Sequence, residues 1–348
     1  MTPAAAEEGF YQYPSVRGEV LVFASEGDLW RTGRAGGMAV RLTNHPAEER
    51  EAHISPDGKL VAFSAGYDSE RDLYVMPVAG GTPRRLTFEG GFIQMIGWTP
   101  DGRVMFTSRL AGGGQGEVLY TVSPQGGEAT PIPLWRATDA TFGSDARTLF
   151  FSRRGLYARA RDNAVLYRGG GMEQLWRWTM GSDAEAVRLL ADFGAPIRHP
   201  MSAGGRIWFL SDKSGKDALW SVAEDGSDVR QVSPDLPFPV LQASIDGDTA
   251  FLQNGADLYA VSLASGALRK LSIDLVTDRE QTRIRALGEP LGQLEAARIS
   301  PSGETVAITA RGRVALAAPK QLRRVEFAVP VAARARQAVL GQQAARRS

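Results

Sequence analysis

A leucine followed by a large aromatic residue, placed just after a carboxylate, returns along this chain at Leu29-Trp30, Leu73-Tyr74, Leu119-Tyr120, Leu175-Trp176, Leu219-Trp220 and Leu258-Tyr259. The steps from one leucine to the next are 44, 46, 56, 44 and 39 residues. A pattern that recurs six times at such spacing makes this a repeat protein, in which each unit buries its apolar surface against its neighbours.

The copies share an internal grammar. An apolar run precedes each anchor, such as VLVFAS (20–25), LVAFSA (60–65) and RIWFLS (206–211), and a Gly-bearing turn with a short strand follows it, as in AGGTPRRLT (79–87). A turn precedes the apolar run: SPDG at 55–58, TPDG at 99–102 and SIDG at 244–247. In the first of these Pro56 presets φ, Asp57 suits the next position and Gly58 closes the turn without a Cβ clash. The runs are apolar on both faces rather than alternating, so both faces of each small sheet must be covered. Four strands every 40–45 residues predict β-propeller blades over roughly 11–43, 51–87, 92–134, 137–190, 197–233 and 240–272. The expected fold class is therefore all-β, a six-bladed propeller of four-stranded antiparallel blades spanning 11–272, after an N-terminal extension at 1–10. YPSV (13–16) supplies the first strand of the first blade, so closure by an N-terminal strand in the last blade is not required.

Residues 297–319, ARISPSGETVAITARGRVALAAP, restart the grammar and predict the incomplete first blade of a second propeller behind a linker beginning at 273. From Lys320 the composition shifts: the last 29 residues hold seven Ala, six Arg and no Asp. Such a run resembles a GC-rich gene read out of frame, and it predicts a disordered tail over 320–348 that cannot finish the blade. Val306, Ile308, Val314 and Leu316 would then lack a partner sheet.

These "PDG…DLY" repeats resemble those of TolB-type proteins, prolyl oligopeptidase propellers and the tricorn protease family. Three stretches favour the tricorn family: YPSVRGEVLVFASEGDLWR (13–31), LYRGGGMEQLWR (166–177) and the restart at 297–319. The resemblance implies the N-terminal propeller of a large serine peptidase of the S41 type, whose catalytic residues lie far downstream. It implies a non-catalytic gate, docking surface or product path for peptides, working with the peptidase domains and inactive alone. It also implies that the full-length protein can form homo-oligomers. In some relatives a basic pair in the loop leading to blade 3 holds the substrate's C-terminus; FEGGFIQMIGW (88–98) contains no Arg or Lys, so that role does not carry over. The alternative is a self-standing TolB-like scaffold that docks proteins through its rim.

Composition narrows the chemistry. The absence of cysteine excludes disulfides, thiolate metal sites and a cysteine nucleophile. A net charge of +1 gives no reason to expect a nucleic-acid partner. No apolar run approaches the roughly 18 residues of a membrane span. The opening lacks the basic and apolar regions of an export signal, which predicts the cytoplasm; Ala4-Ala5-Ala6 as the stub of an upstream export segment would predict the periplasm. No G-x-S-x-G, H-E-x-x-H or P-loop is present, and no cofactor or metal site is expected.

His45, His53 and His199 have no sequence partner as general bases and read as loop or strand-edge residues. The anchor carboxylates Asp28, Asp72, Glu117, Glu173, Asp217 and Asp257 take hydrogen bonds from their own turns or, in a second reading, form an acidic ring. The anchor aromatics are read as packing between blades. The candidate peptide contacts are Arg159, Arg161 and Arg168, on the blade 4 insertion 153–174 with Arg153, Arg154, Tyr157 and Tyr167. They suit an acidic group or a C-terminal carboxylate; a solvated basic loop is the plainer description.

Overall fold

A computed structural model of the chain describes residues 9–91, 93–109, 117–154, 166–277, 289–318, 321–330 and 333–340. Two compact units emerge, Met1–Arg279 and Glu280–Ser348. Among the described residues the fold is all-β apart from a single 3-10 turn, Pro290–Gln293.

The first unit is a succession of four-stranded antiparallel sheets. Sheet 1 holds β1 (Gln12–Arg17), β2 (Val20–Ser25), β3 (Asp28–Gly33) and β4 (Gly36–Arg41). Sheet 2 holds β5 (Glu49–Ile54), β6 (Leu60–Ala65), β7 (Asp72–Pro77) and β8 (Arg84–Arg85). Sheet 3 holds β9 (Ile93–Trp98), β10 (Val104–Ser108), β11 (Val118–Val122) and β12 (Thr130–Trp135). Sheet 4 holds β13 (Ala137–Phe142), β14 (Thr148–Arg153), β15 (Gln174–Thr179) and β16 (Val187–Arg188). Sheet 5 holds β17 (Arg198–Ala203), β18 (Arg206–Ser211), β19 (Ala218–Ala223) and β20 (Arg230–Gln231). Sheet 6 holds β21 (Val240–Asp246), β22 (Thr249–Asn254), β23 (Asp257–Ser262) and β24 (Leu268–Lys270).

The first strands lie side by side: β1 against β5, β5 against β9, β9 against β13, β13 against β17, β17 against β21, and β21 against β1. Between successive sheets sit apolar clusters. Val22 faces Phe63 and Tyr74 across one seam, while Leu21 and Phe23, on the opposite face of the same strand, meet Phe251 and Leu258 across another. This is why the second strands are apolar on both faces. All six anchor leucines are 0% exposed, which explains their recurrence: each sits where a neighbouring sheet closes over it.

The short last strand of a repeat has its own logic. In sheet 2 the Thr87 hydroxyl accepts the Leu73 amide (3.0 Å) and donates to Asp72 Oδ1 (2.8 Å). Thr43 accepts the Leu29 amide (2.8 Å) and Ser233 accepts that of Leu219 (2.9 Å). A hydroxyl fourteen residues after the anchor thus satisfies a buried amide that the narrowing sheet leaves unpaired.

One strand was not foreseen. β25 (Ser272–Leu275), directly after sheet 6, pairs in parallel with β4 and makes sheet 1 five-stranded. The Tyr11 hydroxyl donates to the Ile273 carbonyl (3.0 Å) beneath it. Gly36 permits the approach: at φ +94 a Cβ there would lie 2.3 Å from the Ser272 carbonyl oxygen. The sequence placed the end of the last blade at 272; the strand that ties it back to the first sheet begins there.

In the second unit β26 (Leu294–Ile299), β27 (Val306–Ala310), β28 (Arg313–Ala318) and β29 (Gln321–Glu326) form a four-stranded antiparallel sheet. This corrects the expectation of an incomplete blade followed by a disordered tail at 320. β29 supplies the fourth strand, with Leu316 opposite Val325 and Arg313 Nη1 2.9 Å from Glu326 Oε1. A backbone ladder needs no apolar alternation, and this cross-strand apolar pair with a cross-strand ion pair holds the register.

Candidate functional site

The six first strands of unit 1 each shift register by a β-bulge or irregularity, and all six contribute residues to one cavity, referred to below as the channel. A bulge re-aims side chains, and at three of these strands the residue adopts a left-handed backbone although it is not glycine: Tyr13 (φ 51), Glu51 (φ 54) and His199 (φ 52). Each such position costs about 1–3 kcal/mol, which the surrounding packing must offset. All three line one cavity of about 190 Å³ together with His53, Asp139 and Gln242.

The polar lining has a structural cause. First strands of adjacent sheets do not ladder with one another, so their channel-side amides need side-chain partners. Ser15 Oγ accepts the Ile54 amide (2.9 Å), Glu51 Oε2 the Met95 amide (3.1 Å), Asp139 Oδ2 the His199 amide (3.3 Å) and Ser244 Oγ the Val16 amide (3.1 Å). His199 Nε2 lies 2.9 Å from the Ala243 carbonyl oxygen, which can only accept, so this nitrogen carries the proton. Burial pushes the His53 pKa down to about 3, His199 adds to the effect and Asp139 opposes it. His53 is therefore neutral and a poor base at physiological pH. One imidazole of this wall is thus weakened as a base and the other is committed to a carbonyl.

A second cavity of about 240 Å³ shares Tyr13, His199 and Gln242 with the channel and extends past Arg198, Asp217 and Leu241. Arg198, itself buried, pairs with Asp217. Burial raises the Asp217 pKa, against the pull of Arg198.

Of the candidate contacts on the blade 4 insertion, Arg159 and Arg161 lie outside the described residues, as does Tyr157. Arg168 is engaged within the protein: its Nη1 donates to Asp212 Oδ1 (2.8 Å) and its Nη2 to the Asp212 carbonyl (3.1 Å). The Leu166 amide donates to the same carboxylate (2.8 Å), so Arg168 fastens this end of the insertion to sheet 5. Arg153 stacks over Trp176 (4.4 Å), and Arg154 lies 3.6 Å from both Glu117 and Glu173. Tyr167 is half exposed and its hydroxyl accepts the Gly171 amide (3.3 Å).

The anchor carboxylates are charge-compensated by the chain itself. Arg41 lies 3.5 Å from Asp28, Arg85 2.5 Å from Asp72 and Lys270 3.0 Å from Asp257, each cation on the last strand of its own sheet. Arg109 lies 3.1 Å from Glu117. The channel residues escaped the sequence reading because Tyr13, Glu51 and His199 share no local motif. The available signal was positional: each stands on the first strand of its repeat. His45 is not among the residues lining the channel; its ring is tilted against that of Tyr67, with centroids 4.1 Å apart.

Comparison with known proteins agrees with this architecture. The tricorn protease N-terminal beta propeller domain family matches residues 8–267. Tricorn protease homolog 1 of Streptomyces coelicolor is 33% identical over 275 residues, covering 78% of this chain and 25% of that protein. Putative tricorn protease homolog 2 of the same organism is 31% identical over 317 residues, covering 87% of this chain and 26% of that protein. The chain thus spans about a quarter of the length of these relatives. The crystal structure of the tricorn protease superposes with a TM-score of 0.73 at 20% identity, covering 93% of this chain and 32% of that one, a likeness of fold.

Proposed function

The chain belongs to the tricorn protease N-terminal beta propeller family, and on that premise we propose that it is a non-catalytic peptide conduit working beside separate peptidase domains. Its six sheets in unit 1 are read as the blades of one closed ring; the cyclic order of the first strands and the parallel strand β25 support that reading. The observation that carries the function is the set of left-handed residues Tyr13, Glu51 and His199 on the channel wall. Strained backbone kept at three separate strands points to side chains aimed for a purpose. The wall offers amide-like and carboxylate partners suited to an extended peptide, while neither channel imidazole is set up to activate a nucleophile.

Plugging the channel tests the reading. Ser202→Trp and Thr141→Trp each project a large side chain into the cavity of about 190 Å³. Binding of fluorescent short peptides to the 348-residue chain should weaken tenfold or more in both. Unchanged binding in variants with an unchanged melting curve would sink the conduit and favour rim docking by a scaffold. Peptide cleavage by the purified chain, abolished by a serine-directed inhibitor, would overturn the non-catalytic assignment.

A further inference from the structure

Away from the channel, two carboxyl groups are buried at the seam between sheets 1 and 2. Glu49, the first residue of β5, is 1% exposed and Asp28, the first of β3, is 6% exposed. The Glu49 amide is tied to the Gly27 carbonyl (2.9 Å), which holds the head of β5 against the turn before β3. On its side chain, Oε1 accepts the Tyr67 hydroxyl (2.6 Å) and Oε2 accepts the Thr43 hydroxyl (2.9 Å). Thr43 in turn holds the amide of the anchor Leu29 (2.8 Å). Both side-chain partners of Glu49 are neutral hydroxyls, and the negative charge of Asp28 nearby favours the protonated form of Glu49.

One cation serves this pair and also something else. Arg41 lies 3.5 Å from Asp28 and 3.3 Å from Glu26, and its Nη2 reaches the Thr277 hydroxyl at 3.4 Å. Thr277 also donates to Glu26, and it stands two residues beyond the closing strand β25. The remaining ionisable neighbours are His45, whose amide donates to Asp28 (3.4 Å) and whose ring lies on Tyr67, and Tyr74, 4.5 Å from Tyr67 ring to ring. Arg50, next along β5, is engaged by Glu48. Arg41 is thus a cation shared by Asp28 and Glu26, whereas no ion pair reaches Glu49 among the described residues.

We propose that Glu49 and Asp28 share a proton in a clasp across this seam, and that losing the proton loosens the closing strand β25 through Arg41, Glu26 and Thr277. While Glu49 is neutral its hydroxyl donates to Asp28, and Arg41 balances Asp28 and Glu26. Release of the proton to solvent adds a third negative charge beside Asp28 and Glu26, the two carboxylates that Arg41 contacts. Arg41 is then drawn inward, and its contact with the end of β25 is what gives way.

The direction of the pH dependence follows from burial, which raises the Glu49 pKa from 4.5 to about 7, with Asp28 adding to the rise against the bonds from Tyr67 and Thr43. Burial also raises the Asp28 pKa, opposed first by Arg41. A carboxyl that holds its proton more tightly in the folded state stabilises that state most at low pH. This contribution is fully present below about 4.5 and is lost as the pH rises through about 7.

Hydrogen exchange on the full chain reads the clasp directly. Protection of the Ile273 and Asp274 amides, corrected for base catalysis, should fall tenfold or more between pH 5.5 and pH 8.5, because each unit of pKa difference is worth about tenfold. Glu49→Gln keeps the hydrogen-bonding shape and removes the titration, so this pH dependence should disappear. Thr277→Val should leave β25 poorly protected at both pH values, because the link to the clasp is cut. The same pH dependence in Glu49→Gln, or unchanged protection in Thr277→Val, overturns the proposal. A 13C titration of the wild-type Glu49 carboxyl decides the matter even if a variant fails to fold. A midpoint near 7 supports the clasp, and one near 4 removes it.

Discussion

Sheet 2 and the sheet of the second unit begin with nearly the same turn and end in different environments. In sheet 2 the Gly58 amide bonds the Ser55 carbonyl (2.9 Å) and Ser55 Oγ accepts the Leu60 amide (2.9 Å). In the second unit the Gly303 amide bonds the Ser300 carbonyl (2.9 Å) and Ser300 Oγ accepts the Thr305 amide (3.1 Å). Both first strands carry a bulge and both sheets reach four strands. Yet β6 is buried along almost its whole length, whereas β26 is mostly exposed, with Ile299 at 70%, and β27 is buried only at alternate residues. The difference teaches that turn chemistry makes a sheet, and coverage on both faces makes a core.

The sharpest way to break this comparison is to remove a large side chain from each. Phe63 on β6 is 0% exposed, and Phe63→Ala should cost about 3–5 kcal/mol in denaturant unfolding. Ile308 on β27 is half-buried, and Ile308→Ala should cost less than about half of that. Equal losses would mean that the second sheet is as well packed as the first.

A smaller effect isolates the strand that only the first unit has. Gly36→Ala puts a Cβ 2.3 Å from the Ser272 carbonyl oxygen, while Gly37, at a similar φ of +97, has open space around it. Gly37→Ala should cost roughly 1–2 kcal/mol from backbone strain, and Gly36→Ala roughly twice that because β25 must also shift. Similar melting temperatures for the two variants would show that β25 contributes little to stability.

The smallest effect should be the same in both regions. Ser55→Ala and Ser300→Ala each delete the hydroxyl that accepts a turn amide, a loss of about 1 kcal/mol. A clear inequality between them would show that the turn is tuned by its surroundings after all.

The legible parts of the fold are those that each repeat must solve for itself. The six anchor leucines were visible because every sheet needs one fully buried residue at the same place, and all six prove to be 0% exposed. The strand β29 was misread because its pairing relies on main-chain bonds and on partners in β28, not on a pattern within residues 320–348. Arg168 was visible as a charge but not as the partner of Asp212, which lies 44 residues away in sequence. The channel was not legible at all: His53, Asp139 and His199 come from three different sheets.

The sequence by itself determined the repeat, the turns, the apolar strands and therefore the family of folds open to the chain, because these depend on interactions within about 45 residues. The tertiary structure decided what the repeats enclose and how they are tied together. It set Tyr13, Glu51 and His199 around one cavity, laid β25 against β4, and buried Glu49 beside Asp28. Each of these joins side chains or strands from different repeats, and such a contact leaves no local periodicity to read. Its energy comes from closing one sheet over another, which no single repeat can do alone.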